Sequence, residues 1–75
     1  MNLVIDVGNT RLKYAFFHLG EMRIKGVGME ELFRTITDVR KEHEVHVFLS
    51  GSGKIEEDLR TRLRREAVFW LEASP

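Results

Sequence analysis

Asn2-Leu3-Val4-Ile5-Asp6-Val7-Gly8-Asn9-Thr10-Arg11-Leu12-Lys13-Tyr14-Ala15-Phe16-Phe17-His18-Leu19 is the stretch whose reading decides the fold. Residues 2–7 are rich in aliphatic and β-branched side chains, with one charge near the end, and read as a buried strand. Gly8-Asn9-Thr10 is turn chemistry: glycine and asparagine tolerate positive φ, and threonine bonds nearby backbone. Leu12 to Leu19 reads as a second strand. Leu12, Tyr14, Phe16 and His18 fall on one face, and Lys13, Ala15, Phe17 and Leu19 on the other. Gly20-Glu21 is a tight connection into a third strand, Met22 to Val27, where Met22, Ile24 and Gly26 alternate with Arg23, Lys25 and Val27. Links this short impose an antiparallel meander.

After Gly28 the period changes. Leu32, Phe33, Ile36 and Val39 recur at three- and four-residue spacing, which predicts an amphipathic helix over 29–43. Glu30 and Glu31 near its start and Arg40 and Lys41 near its end suit the helix dipole. Val45 to Leu49 is a short apolar strand, and Ser50-Gly51-Ser52-Gly53 a loop. A second helix is predicted over 54–66, with the stripe Ile55, Leu59, Leu63 and Ala67. A final strand spans Val68 to Leu71, and Pro75 ends the chain. The order is β-β-β-α-β-α-β without internal repeat or linker. A helix between the last two strands implies a right-handed parallel crossover, hence a mixed sheet with helices packed on it. The fourth strand is apolar on both faces, and such strands are normally covered on both. Two helices cover one face, so an exposed apolar patch or self-association is expected on the other.

Composition bounds the function. Seventy-five residues make one small domain, spanning 1–75. Twelve basic residues balance twelve acidic ones, which argues against a non-specific nucleic-acid binder. Residues 1–28 hold four bases and two acids, a mildly electropositive segment suited to an anion. The absence of cysteine excludes disulfides, thiolate nucleophiles and Cys-ligated zinc. The longest apolar run, Ala67 to Leu71, is too short for a membrane span, and no signal-peptide pattern precedes the first strand, so a soluble cytoplasmic protein is expected.

Asp6-Val7-Gly8-Asn9-Thr10-Arg11-Leu12-Lys13 carries the strongest chemical signal. Backbone N–H groups of a tight turn can converge on an anion, and glycine admits close approach of a phosphate. Thr10 adds a hydroxyl, Lys13 a cation, and Asp6 a carboxylate able to hold Mg²⁺ directly or through water. From spacing alone an ordinary hairpin with a turn-capping asparagine fits as well.

Leu3 to Thr10 resembles the first phosphate motif of the type III pantothenate kinases, of the actin-like ATPase superfamily that includes sugar kinases and Hsp70. Its position next to Met1 and the order of elements match, since each lobe of that superfamily opens with β-β-β-α-β-α-β. The resemblance implies an RNase H-like half-lobe with a mixed five-stranded sheet. It also implies transfer of the ATP γ-phosphate to pantothenate, the first step of coenzyme A synthesis. Residues Asp6, Val7, Gly8, Asn9, Thr10, Arg11, Leu12 and Lys13 would then lie along the ATP phosphates, with Asp6 organising Mg²⁺. The implied cofactors are Mg-ATP and a monovalent cation, K⁺ or NH₄⁺, and the implied intact enzyme is a homodimer. The catalytic residues are expected beyond residue 75, so this chain alone is expected to be inactive. Two other readings retain the lobe: another small-molecule kinase of the superfamily, such as a sugar kinase, and a non-catalytic regulator resembling a transcriptional activator.

Other candidates are weaker. Ser50-Gly51-Ser52-Gly53-Lys54 lacks the spacing of a P-loop: Phe48 stands where the first glycine belongs, and Ile55 where Ser or Thr should follow lysine. His43-Glu44-Val45-His46 is one residue short of a zincin motif and falls where a helix gives way to a strand. Arg60, Arg62, Arg64 and Arg65 read as a solvated helix face, with Glu56–Arg60 and Asp58–Arg62 at i,i+4 spacing. Phe69 and Trp70 read as core or lobe-interface residues. A nucleophilic triad has no support.

Overall fold

Asn2–Val7 (β1), Leu12–His18 (β2), Glu21–Val27 (β3), Met29–Val39 (α1), His46–Gly51 (β4), Glu57–Glu66 (α2) and Phe69–Glu72 (β5) follow in the predicted order. The computed structural model describes residues 1–52 and 54–73; Gly53 and Pro75, read above as loop and chain end, lie outside them. The strands form one sheet in the order β3-β2-β1-β4-β5. β1 pairs antiparallel with β2 and parallel with β4; β2–β3 is antiparallel and β4–β5 parallel. The architecture is α/β: a five-stranded mixed sheet with two helices.

Side-chain alternation sets the core. Leu3, Ile5 and Val7 are buried while Asn2, Val4 and Asp6 are exposed. The buried set meets Leu12, Tyr14 and Phe16 of β2 and Val47 and Leu49 of β4. Both helices close over that same face, through Leu32, Phe33, Ile36 and Val39 of α1 and Leu59 and Leu63 of α2. Each such side chain contributes roughly 1.5–3 kcal/mol when fully buried. Tyr14 and Phe16 meet edge to face, ring centroids 6.0 Å apart, and Tyr14 lies over Gly26 of β3. Among the described residues no helix covers the opposite face of the sheet, as expected from the fourth strand. Val4, Met22, Val27, Phe69 and Leu71 are exposed there or at its margins.

Several boundaries move for physical reasons. β2 ends at His18, because Leu19 (φ 53) and Gly20 (φ 80) form a two-residue turn of the type that matches strand twist, and Glu21 begins β3. A bulge between Phe16 and Phe17 pairs Phe16 with Ile24 but Phe17 with Met22. Arg23 is the extra residue, so Met22 leaves the face of Ile24 and joins the uncovered one. Gly28 starts α1 at φ 101, a conformation that favours glycine, and its N–H donates to the Leu12 carbonyl. α1 ends at Val39 rather than 43. Backbone amides of residues 40–43 fold back onto the Ile36, Asp38 and Val39 carbonyls, turning the chain so that Val45 enters the core. Arg40 and Lys41 therefore stand beyond the helix. β4 runs through Ser50 and Gly51, read above as loop, because β1 supplies partners to its end at Asp6 and Val7. α2 begins at Glu57, leaving Ile55 partly buried ahead of it.

The charge pairing of α2 also differs from the i,i+4 expectation. Arg60 makes a two-pronged bond to Glu72 of β5, at 2.9 and 2.8 Å, and a further bond to Glu57 at 2.6 Å. Arg62 stacks over the Phe33 ring, 3.9 Å from its centroid. The Arg60 guanidinium, by hydrogen bonding to Glu72, holds that carboxyl below its ordinary value, and Arg60 is raised in turn, chiefly by Glu72. A depressed carboxylate stabilises the fold above its unfolded pKa, and this contribution is lost as pH falls through the folded value. Glu72→Gln is expected to flatten the acid limb of unfolding as pH falls below the ordinary carboxylate range, about pH 4.3, read by fluorescence of Trp70. An unchanged limb would mean that the pair is solvent-screened and silent. No helix among the described residues is long and apolar enough to cross a membrane.

Candidate functional site

The hairpin that joins β1 to β2 sits at the centre of the sheet, beside the end of β4. It closes through the Gly8 N–H, which donates to the Arg11 carbonyl at 2.9 Å. Neither Gly8 nor Asn9 uses the positive φ that the sequence suggested. Gly8 serves close packing instead: a β-carbon there would stand 3.2 Å from the Arg11 oxygen. With the Gly8 N–H engaged, the amides of Asn9 and Thr10 are the tip donors available to an anion.

Asp6, Gly8, Thr10, Arg11 and Lys13 line one hollow of about 340 Å³. Asp6 and Lys13 are partners across β1 and β2 and project from the uncovered face, where both are exposed. Asn9 is exposed but does not line the hollow. Val7 and Leu12 belong to the core, so they hold the ends of the strands, and only their backbone is near the site. Ion pairs among the described residues lie elsewhere, at Glu21–Arg23, Asp38–Lys41, Arg40–Glu66 and around Arg60. Arg11 and Lys13 thus place two cations around the same concavity as the one carboxylate of Asp6. This arrangement suits an oxyanion with an accompanying cation.

Gly51, read from the sequence as a loop residue, lies at the end of β4 and has a packing role beside the hairpin. It pairs with Val7, and a β-carbon on it would collide with the Val7 carbonyl oxygen and stand 2.9 Å from the Val7 Cβ. β4 can approach the root of the hairpin only because residue 51 has no side chain. A Ser-Gly pair after an apolar run was the available signal, but its meaning depended on which strand lay alongside.

Among the described residues no group of three or more His, Asp or Glu is placed to hold a metal ion. Asp6 is a single exposed carboxylate; Mg²⁺ takes one or two carboxylates together with waters and phosphate oxygens. The two histidines of the 43–46 segment part company. His43 stacks near His18, centroids 5.0 Å apart, and His46 lies on β4 near Phe69. Phe69 faces solvent on the uncovered side while Trp70 packs against the core, with Arg64 over its ring at 5.6 Å.

No family model, no curated protein and no solved structure matches this chain.

Proposed function

We propose that this chain is the phosphate-binding lobe of an ATP-dependent kinase of the actin-like kind, with an RNase H-like sheet and pantothenate as acceptor in the intact enzyme. The observation that carries the reading is the hairpin hollow: Asp6, Thr10, Arg11 and Lys13 converge around a glycine-bearing turn at the tip of the central strand. The strand order β3-β2-β1-β4-β5 supports it by putting that turn in the middle of the sheet, where a second lobe could close over it.

In this reading the hairpin binds the ATP phosphates rather than performing the transfer. Arg11 and Lys13 neutralise phosphate oxygens, Thr10 donates its hydroxyl, and the tip amides complete the cradle. Asp6 would hold Mg²⁺ through its carboxylate, and the metal supplies charge neutralisation and alignment of the phosphates. Acceptor binding and the catalytic base belong to the remainder of the enzyme. One lobe encloses only part of the transferred group, so phosphoryl transfer by these residues alone is not expected.

An amide-resolved NMR titration with Mg²⁺ and a non-hydrolysable ATP analogue tests this. The Asn9, Thr10 and Arg11 amides are expected to shift first, with a Kd near ~1 mM, about −4 kcal/mol, for half a cleft. Asp6→Ala should abolish the Mg²⁺-dependent part of the response, and added salt should weaken the rest. Shifts confined to other surfaces, with the hairpin silent, would make it a plain turn. The uncovered apolar face would then favour the reading as a non-catalytic regulator.

A further inference from the structure

Two of the three histidines meet at the end of the sheet away from the hairpin hollow. His18 closes β2, opposite Glu21 of β3. His43 stands in the turn after α1, its backbone N–H bonded to the Val39 carbonyl at 2.9 Å. The Met1 amine bonds the carbonyl of the next residue, Glu44, so the start of β1 holds the same turn. Residues 25 positions apart are thereby brought ring to ring, with centroids 5.0 Å apart and planes inclined at 57°. Both side chains are half-buried. Neither imidazole has a hydrogen-bond partner among the described residues. No buried side-chain nitrogen goes unpaired there either, so the ring nitrogens are open to solvent.

The spacing of these rings is that of a chelate. Two imidazoles on one tetrahedral ion, with metal–nitrogen bonds of about 2.0–2.1 Å, have centroids about 5 Å apart. A half-turn about the Cβ–Cγ bond exchanges a ring's nitrogen and carbon edges and barely moves its centroid. Either nitrogen of each residue can therefore be presented. A plain aromatic contact spans a range of about 4.5–7 Å that includes this distance, and the response to a metal separates the two.

We propose that His18 and His43 together hold one divalent transition-metal ion, of the zinc, nickel or copper kind, which clips the end of β2 to the turn after α1. Imidazole suits such ions, whereas Mg²⁺ prefers oxygen ligands. Among the described residues no third His, Asp or Glu completes a set with them, so water fills the remaining positions. Glu42 and Glu44 flank His43 in sequence and are exposed, and their charge favours a cation without ligating it. The proposal stands apart from the kinase reading, because Asp6 and Lys13 pair at the other end of β1 and β2.

Zinc chloride titrated into the 75-residue chain in nucleotide-free buffer, followed by NMR of the imidazole nitrogens, tests this. The His18 and His43 rings should shift together and saturate at one ion per chain. His46, beside Phe69 on the opposite face of the sheet, should stay still, and Mg²⁺ should move none of the three. Loss of one ring turns a chelate into a single imidazole. His18→Ala and His43→Ala are therefore each expected to weaken Zn²⁺ binding about a hundredfold, and His46→Ala to leave it unchanged. Binding that survives either of the first two substitutions, or that moves all three rings alike, overturns the proposal and leaves a plain aromatic contact. Saturation at one ion per two chains also overturns it, since the rings then bridge separate molecules. Should an alanine variant not fold, the unaltered chain decides: a His18 or His43 ring that stays silent as Zn²⁺ is added rules the chelate out.

Discussion

Phe16→Ala is expected to leave little folded protein at 25 °C. Phe16 has no exposed surface, is among the largest fully buried side chains, and meets Tyr14 edge to face. It stands on β2 between Leu3 of β1 and Ile24 of β3, so its removal opens a cavity that rigid neighbours on both sides cannot fill. Phe→Ala at such positions costs roughly 3–5 kcal/mol. A domain of this length has about 4–11 kcal/mol in total, with small ones at the low end. Urea unfolding followed by Trp70 fluorescence and far-UV CD should show the midpoint collapsing toward zero denaturant with the slope retained. A loss under ~1 kcal/mol would mean that the core is not organised around this ring. The measurement belongs at low protein concentration, so that association does not add to apparent stability.

The second large effect concerns Gly51. The alanine β-carbon would run into the Val7 carbonyl oxygen, with Val7 Cβ at 2.9 Å and carbonyl carbon at 3.1 Å. The obstructing atoms are mostly backbone of the central strand, so the strain cannot be relieved by a rotamer change. We expect Gly51→Ala to destabilise the fold by roughly 1–3 kcal/mol and to splay the ends of β1 and β4 apart. The second consequence is more diagnostic. Amides of Val7, Gly8, Asn9 and Thr10 should shift, although none of these residues is altered, and binding of the Mg²⁺–ATP analogue should weaken in step. Unchanged hairpin amides would show that β4 does not set the position of the site. Equal destabilisation with intact binding would separate the two roles of this residue.

Much of the fold was legible because its central signals are local. Leu3, Ile5 and Val7 alternate cleanly, and Leu32, Phe33, Ile36 and Val39 recur at helical spacing, so β1 and α1 and their buried faces follow from periodicity. The misreadings involve information that resides in a neighbour. Ser50 and Gly51 look like loop residues until Asp6 and Val7 supply their partners. Met22 alternates with Arg23 on paper, but the bulge opposite Phe16 and Phe17 puts it on the other face. Arg60 finds Glu72 across the tertiary structure in place of Glu56 one turn away. The candidate site was legible as a composition, since Asp6, Thr10, Arg11 and Lys13 lie within eight consecutive residues. Its internal geometry was not. That Gly8 spends its N–H on Arg11 and keeps an ordinary φ depends on how the hairpin closes, which residue types alone leave undetermined.

The position of β1 in the middle of the sheet bears on the order in which a nascent chain can fold. The amine of Met1 bonds the Glu44 carbonyl 43 positions away, and all of β1 pairs with β4 at a similar separation. The meander of β1, β2 and β3 is local and can close while synthesis continues. The other edge of β1 must wait for β4 to leave the ribosome. Closing so wide a loop before its contacts form places the main folding barrier there, and sheets rich in such pairings fold in roughly milliseconds to seconds rather than microseconds. During that interval an apolar strand with one unpaired edge is open to wrong partners. The protein's vulnerability is therefore concentrated in time, at the wait for residues 46–51, more than at any one place on its finished surface.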